Sequence, residues 1–198
     1  MSFWFDNTWE GRVGAFLASP DSAGRFAWPF PMGVFGTLRM HQCNNSLMQA
    51  AGIERWSKGF LPNFVAEGLR IVSHQGGAAP FEVFEYNPED WAAVIPAVDQ
   101  LESFDPARPE RATYYRRTLA WVSLLPDEWL GNAEISKWFR PGTRADLLDR
   151  RDIAVLTPGA VAECERIPCW IYSSEADNAR SVQFDNNPII WSFKGGAS

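Results

Sequence analysis

Few residues of this chain have both the chemistry and the placement for acid–base work, and Glu102 is the first of them. It closes the segment NPEDWAAVIPAVDQLESF, in which Trp91, Val94, Ile95, Val98 and Leu101 recur at helical spacing. At about 100° per residue, Glu102 falls in angle between Ile95 and Val98, inside the apolar stripe. A carboxylate on a buried face is costly unless it is paired or put to use. The alternative is a helix that ends near Leu101 and leaves Glu102 pointing to solvent. Periodicity alone leaves the two open.

A second candidate is the run Val34-Phe35-Gly36-Thr37-Leu38-Arg39, an apolar strand entering a glycine-containing loop. Such a loop exposes backbone N–H groups that can hold a carboxylate or a developing oxyanion. A plain strand-to-turn transition would use the same residues. Arg39 either adds positive charge to this loop or is an exposed arginine at a helix start. His41 and Cys43 lie close together, but no third group is at hand to orient a thiol nucleophile, so they read as polar loop residues. The three cysteines, Cys43, Cys164 and Cys169, form no CxxC pair, and only His41 and His74 accompany them. Reduced cytoplasmic thiols are expected, with no metal site.

The elements that must position these residues follow from the same patterns. A strand is expected over 32–35, then a short helix over 45–51 that Gly52 stops. Residues 60–73 read as extended or loop, Gly76-Gly77 as a turn, and 81–86 as a strand by alternation. Asn87 suits the N-cap of the next helix, Pro88 its first turn, and Glu89 and Asp90 its positive end. Pro96 interrupts that helix and predicts a kink or two short helices. A proline-rich loop over 104–113 leads to a strand over 114–123. The stretch 123–163 is a mixed segment with a helix over 144–151, and 167–173 is a closing strand. The mixture lacks regular βαβ alternation, so the fold class is α+β with a mixed or antiparallel sheet. In domain terms, 1–31 is an aromatic-rich arm and 32–175 the folded domain, with an insertion at about 123–163. Residues 176–198 form a polar tail.

Composition narrows the function. The chain has 198 residues, enough for a sizeable core, and its ten Trp and fourteen Phe predict a dense core or a contact surface. A net charge of −6 repels polyanions, and the doublets Arg116-Arg117 and Arg150-Arg151 are too short for a phosphate-binding stripe. Nucleic acid is therefore excluded as a partner class. The opening MSFWFDNTWEGRVGAFLASP lacks a basic start and a continuous apolar run, so no signal peptide is expected. No stretch reaches the length of a membrane span.

Four short elements together carry a resemblance. VFGTLR followed by Asn44-Asn45-Ser46-Leu47-Met48 resembles the opening signature of γ-glutamylcyclotransferase-like proteins, where a tyrosine-glycine-serine/threonine-leucine strand end precedes an asparagine and an apolar helix. Val98-Asp99-Gln100-Leu101-Glu102 is similar to the family element that ends in its catalytic glutamate. Tyr114-Tyr115-Arg116 resembles its tyrosine-x-arginine strand, and Cys169-Trp170-Ile171-Tyr172 its last strand. Two departures stand out. Phe35 replaces the tyrosine before the glycine, and 123–163 is longer than the family's connection.

The resemblance implies a small mixed β-barrel or curved sheet with flanking helices, and it turns Glu102 toward the buried, functional placement. It implies a cyclotransferase that releases 5-oxoproline from a γ-glutamyl amine or amide, with Glu102 as the catalytic acid/base. Substrate would contact Phe35, Gly36, Thr37, Leu38, Arg39, Tyr115 and Tyr172, with neither metal nor cofactor required. The alternative is a non-catalytic small-molecule or protein-binding member of the same fold. The aromatic arm is compatible with a homodimer.

Overall fold

Five strands close into a barrel in this structure, a computed structural model that describes residues 8–18, 24–67, 70–112, 115–136 and 163–174. They are β1 (Met32–Val34), β2 (Ile53–Glu67), β3 (Arg70–Tyr86), β4 (Tyr115–Leu124) and β5 (Arg166–Ser174). Their order around the barrel is β1-β3-β2-β4-β5. Every neighbouring pair is antiparallel except the seam, where β1 and β5 run parallel with Met32 opposite Trp170. The α-helices among the described residues are α1 (Trp9–Ala18), α2 (Asn45–Met48), α3 (Pro88–Leu101), α4 (Asp127–Leu130) and α5 (Ala133–Ser136). The expected α+β class and mixed barrel with flanking helices are present.

Alternation along the strands sorts the core into two layers. Phe81 and Val83 of β3, Ala120, Val122 and Leu124 of β4, and Ile167, Cys169 and Ile171 of β5 pack together inside the barrel, with Trp9 of α1 and Phe35 against them. The opposite parity faces the helices. Phe84 and Tyr86, Leu119, and Trp170 and Tyr172 pack with Phe16 of α1, Met48 of α2, and Trp91, Val94, Ile95 and Val98 of α3. Gly33 belongs to the inner layer, where a Cβ would come within 3.0 Å of the Ile171 side chain. That close approach lets β1 and β5 meet at the seam.

Several local expectations are corrected. Residues 8–31 contain α1, and Phe16, Phe26 and Phe30 are buried in the helix-facing layer rather than carried on an arm. Phe16 packs edge-on against Trp28, Phe30 and Trp170, with ring centroids 5.7, 5.5 and 5.7 Å away. Two indole N–H groups fasten the same segment: Trp170 Nε1 donates to the Trp28 carbonyl at 2.9 Å, and Trp91 Nε1 donates to that of Phe30 at 2.8 Å. Gly76-Gly77 makes no chain-reversing turn. It lies within β3 in a bulge, where residues 74–77 stand opposite Asn63 alone, between the Pro62–Ala78 and Phe64–Ser73 pairs. Residues 60–73 are strand on both sides of the 68–69 connection. The helix expected over 45–51 ends at Met48.

Pro96 does not divide α3. Pro96 and Ala92 are both exposed, so the ring projects outward and the carbonyl deprived of its i+4 partner is left to water. Within the expected insertion, α4 and α5 are described, and Leu125 and the α5 residue Ile135 pack on Phe60, Ala78 and Cys164. The helix expected over 144–151 and the tail 176–198 lie outside the described residues. Among the described residues no helix is long and apolar enough to cross a membrane.

Candidate active site

The C-terminus of α3 sets the position of Glu102. Asn87 caps the other end, its side chain accepting from the Asp90 N–H at 2.8 Å, with Pro88 in the first turn as expected. At the C-terminus, Ser103 N–H donates to Gln100 O at 3.2 Å and Phe104 N–H to Asp99 O at 2.9 Å. With Ser103 at φ 57°, this is a Schellman stop in which a serine occupies the left-handed position usually held by glycine. Phe104, the next residue, is buried against Phe26 and Tyr172, which anchors the stop in the core.

The two placements of Glu102 left open by periodicity are each correct in one respect. The helix ends at Leu101, and Glu102 is its C-cap. Its side chain nevertheless lines a cavity of about 230 Å³ rather than standing in solvent. Burial pushes the Glu102 carboxyl up to about 7. Leu101, expected on the buried stripe, is 40% exposed at the edge of the same cavity. Asp99 takes the buried place instead.

The opposite wall is the glycine loop. Gly36–Leu38 form a single 3-10 turn after β1, entered with Gly36 at φ 62°, a conformation that disfavours any residue with a Cβ. Two asparagines hold this turn. Asn44 donates from its N–H to Thr37 O at 3.0 Å and from its side chain to Thr37 Oγ1 at 3.1 Å. The Asn45 side chain donates to Leu38 O at 2.9 Å from a buried position. Behind the loop, Glu82 of β3 accepts from the Met40 N–H at 2.6 Å and from Trp56 Nε1 at 3.2 Å. Burial raises the Glu82 pKa, and these two donors with the nearby Arg39 and Lys58 charges oppose the rise.

Of the residues expected to contact substrate, Phe35, Gly36, Thr37, Leu38, Tyr115 and Tyr172 line the cavity with Glu102. Arg39 does not. It is neither an exposed helix-start residue nor part of the cavity lining, but is 1% exposed with Glu82 as a charge partner. Strand parity explains the rest. Tyr115 and Arg117 on β4 and Tyr172 on β5 all have the parity that faces α3, whereas Phe35 lies against Phe81 with ring centroids 5.6 Å apart. His41 and Cys43 are exposed in the following loop.

Sequence reasoning assigned no role to Asn44, Arg117 or Asp99. Asp99 had a readable signal, since at i+4 from Ile95 it lies on the buried face of α3. Nothing in the local pattern of β4 distinguishes Arg117 from Arg116 before the register is known. No protein-family model and no curated protein matches the chain.

Proposed function

We propose that this protein is a γ-glutamylcyclotransferase-like enzyme that converts a γ-glutamyl amine or amide into 5-oxoproline and a free amine. The observation that carries the reading is the convergence of Glu102 and the Gly36–Leu38 turn on one cavity, with the carboxyl raised by burial to about 7. The order of the four sequence elements supports it.

In this reading the substrate's α-amino nitrogen attacks its own γ-carbonyl carbon, and the bond from that carbon to the leaving nitrogen breaks. Because the nucleophile and electrophile belong to one molecule, most of the task is holding a folded conformer, and orientation is worth about 7–11 kcal/mol against a bimolecular reference. The α-amine is an ammonium at neutral pH and must lose a proton before it attacks. Glu102 accepts that proton and delivers one to the departing nitrogen, which leaves as a neutral amine. A carboxyl titrating at about 7 is populated in both forms at neutral pH, as the two steps require. Backbone N–H groups of Gly36, Thr37 and Leu38 hold the glutamyl carboxylate or the oxyanion.

The rival reading is a non-catalytic binder on the same scaffold. Phe35 favours it, since a ring packed on Phe81 offers the cavity no hydroxyl. Assaying 5-oxoproline release from a panel of γ-glutamyl amines and dipeptides separates the two. Release from one class of donor supports the enzyme and names its leaving group, whereas a folded protein that binds these donors without releasing 5-oxoproline supports the binder.

A further inference from the structure

Beneath the cavity lies a buried polar chain that the acid–base step does not use. Asp99 stands one helical turn before Glu102 on α3 and reaches down to two residues that face each other across the β4–β5 ladder, Arg117 and Tyr172. Tyr172 Oη donates to Asp99 Oδ1 at 2.6 Å, and Arg117 Nη1 donates to Asp99 Oδ2 at 3.2 Å. Arg117 Nη2 donates in turn to the Phe26 carbonyl at 2.6 Å. The guanidinium carbon lies 5.3–5.7 Å from the ring centroids of Phe26, Trp91, Phe104 and Trp170, so an aromatic box surrounds the cation.

This chain has a fixed polarity. Arg117 can only donate, so it claims one carboxylate oxygen of Asp99, and an ionised carboxylate can only accept. The phenol proton of Tyr172 is therefore directed to the other oxygen of Asp99, away from the cavity that Tyr172 lines with Glu102. A phenol oxygen whose proton is committed elsewhere presents only lone pairs to any further partner.

We propose that Tyr172 is a second acceptor, beside Glu102, for a primary ammonium group in this cavity, and that Asp99 and Arg117 are positioning residues that keep its oxygen in the accepting state. The proposal rests on the cyclotransferase reading for the identity of that ammonium, the α-ammonium of the γ-glutamyl group. Two acceptors on one –NH3+ hold it beside Glu102, which takes one of its protons, and rotation about the C–N bond then turns the freed lone pair toward the γ-carbonyl carbon. Burial and the Asp99 charge both raise the Tyr172 pKa, as does the charge of Glu102, so the phenol stays protonated throughout.

The test compares binding of γ-glutamyl-n-butylamide with that of glutaric acid mono-n-butylamide, the same skeleton without the α-amine, by calorimetry. The wild type should prefer the amine-bearing probe. Tyr172→Phe should weaken that probe by about tenfold or more, the loss expected for a hydrogen bond to a charged group, and leave the other unchanged. Asp99→Asn provides an independent test and covers a Tyr172→Phe protein that does not fold. In that variant Arg117 retains the one side-chain carbonyl oxygen, the amide N–H donates to the phenol, and the phenol proton turns into the cavity. It should lose the same preference although Tyr172 is intact. Equal weakening of both probes in either variant would reduce Tyr172 and Asp99 to structural roles and overturn the proposal, as would a wild type without preference. An intact preference without 5-oxoproline release would sink the enzyme reading alone.

Discussion

Glu102 owes its unusual titration to where one helix stops. Its folded value of about 7 stands above the ordinary 4.5, so between those pH values the folded state holds a proton that the unfolded chain has released. Stability contributed by this group is therefore present at low pH and is lost as pH rises from about 4.5 through 7. Glu102→Gln removes that titration. Thermal melts should show the variant gaining on the wild type as pH rises from 5 to 8, and a difference that does not change with pH would contradict the assigned value. In the enzyme reading the same group gives kcat/KM of the wild type an acid limb near pH 7, because the protonated carboxyl cannot accept the ammonium proton. The sequence made Glu102 legible through periodicity. It hid Arg117, whose role depends on lying opposite Tyr172 and on meeting Asp99 from another element.

At the scale of elements, the α3 stop and the glycine turn are the two devices that make the cavity. Ser103 holds a left-handed backbone that costs a residue with a Cβ about 1–2 kcal/mol relative to glycine. Ser103→Gly should accordingly raise the denaturation midpoint, and Ser103→Val should lower it, in urea titrations followed by tryptophan fluorescence. No change in either direction would mean that the stop is held by Phe104 alone. At the opposite end, Asn87→Ala should cost about 1 kcal/mol through loss of the Asp90 N–H cap, read in the same titrations. The cap was legible because Asn-Pro-Glu-Asp is a local signal. The stop was not, because its serine carries none of glycine's advertisement. Pro96 misled for a related reason: its effect depends on whether the missing bond faces water, and periodicity alone did not reveal that it does.

On the scale of the molecule, most aromatic side chains of the described residues lie between barrel and helices. Phe16, Phe30, Trp91 and Trp170 meet there, and the segment containing α1 closes that layer. Truncating Phe16, which is fully buried, should cost about 3–5 kcal/mol, as for a core aromatic. A loss below about 1 kcal/mol in chemical denaturation would show that α1 is an appendage after all. Sequence reading found the class of fold because alternation and helical spacing are local. It set residues 1–31 apart as an aromatic-rich arm because exposed and buried aromatics look alike until their partners are known.

The role of Glu102 is decided by 5-oxoproline release from wild type and Glu102→Gln, measured side by side on γ-glutamyl amines with binding of the same compounds followed in parallel. The wild type should release 5-oxoproline and the variant should lose about 10²–10⁴-fold, the usual contribution of a general acid–base group, with folding and binding retained. Equal release by both proteins, or binding by the wild type without any release, would contradict that role.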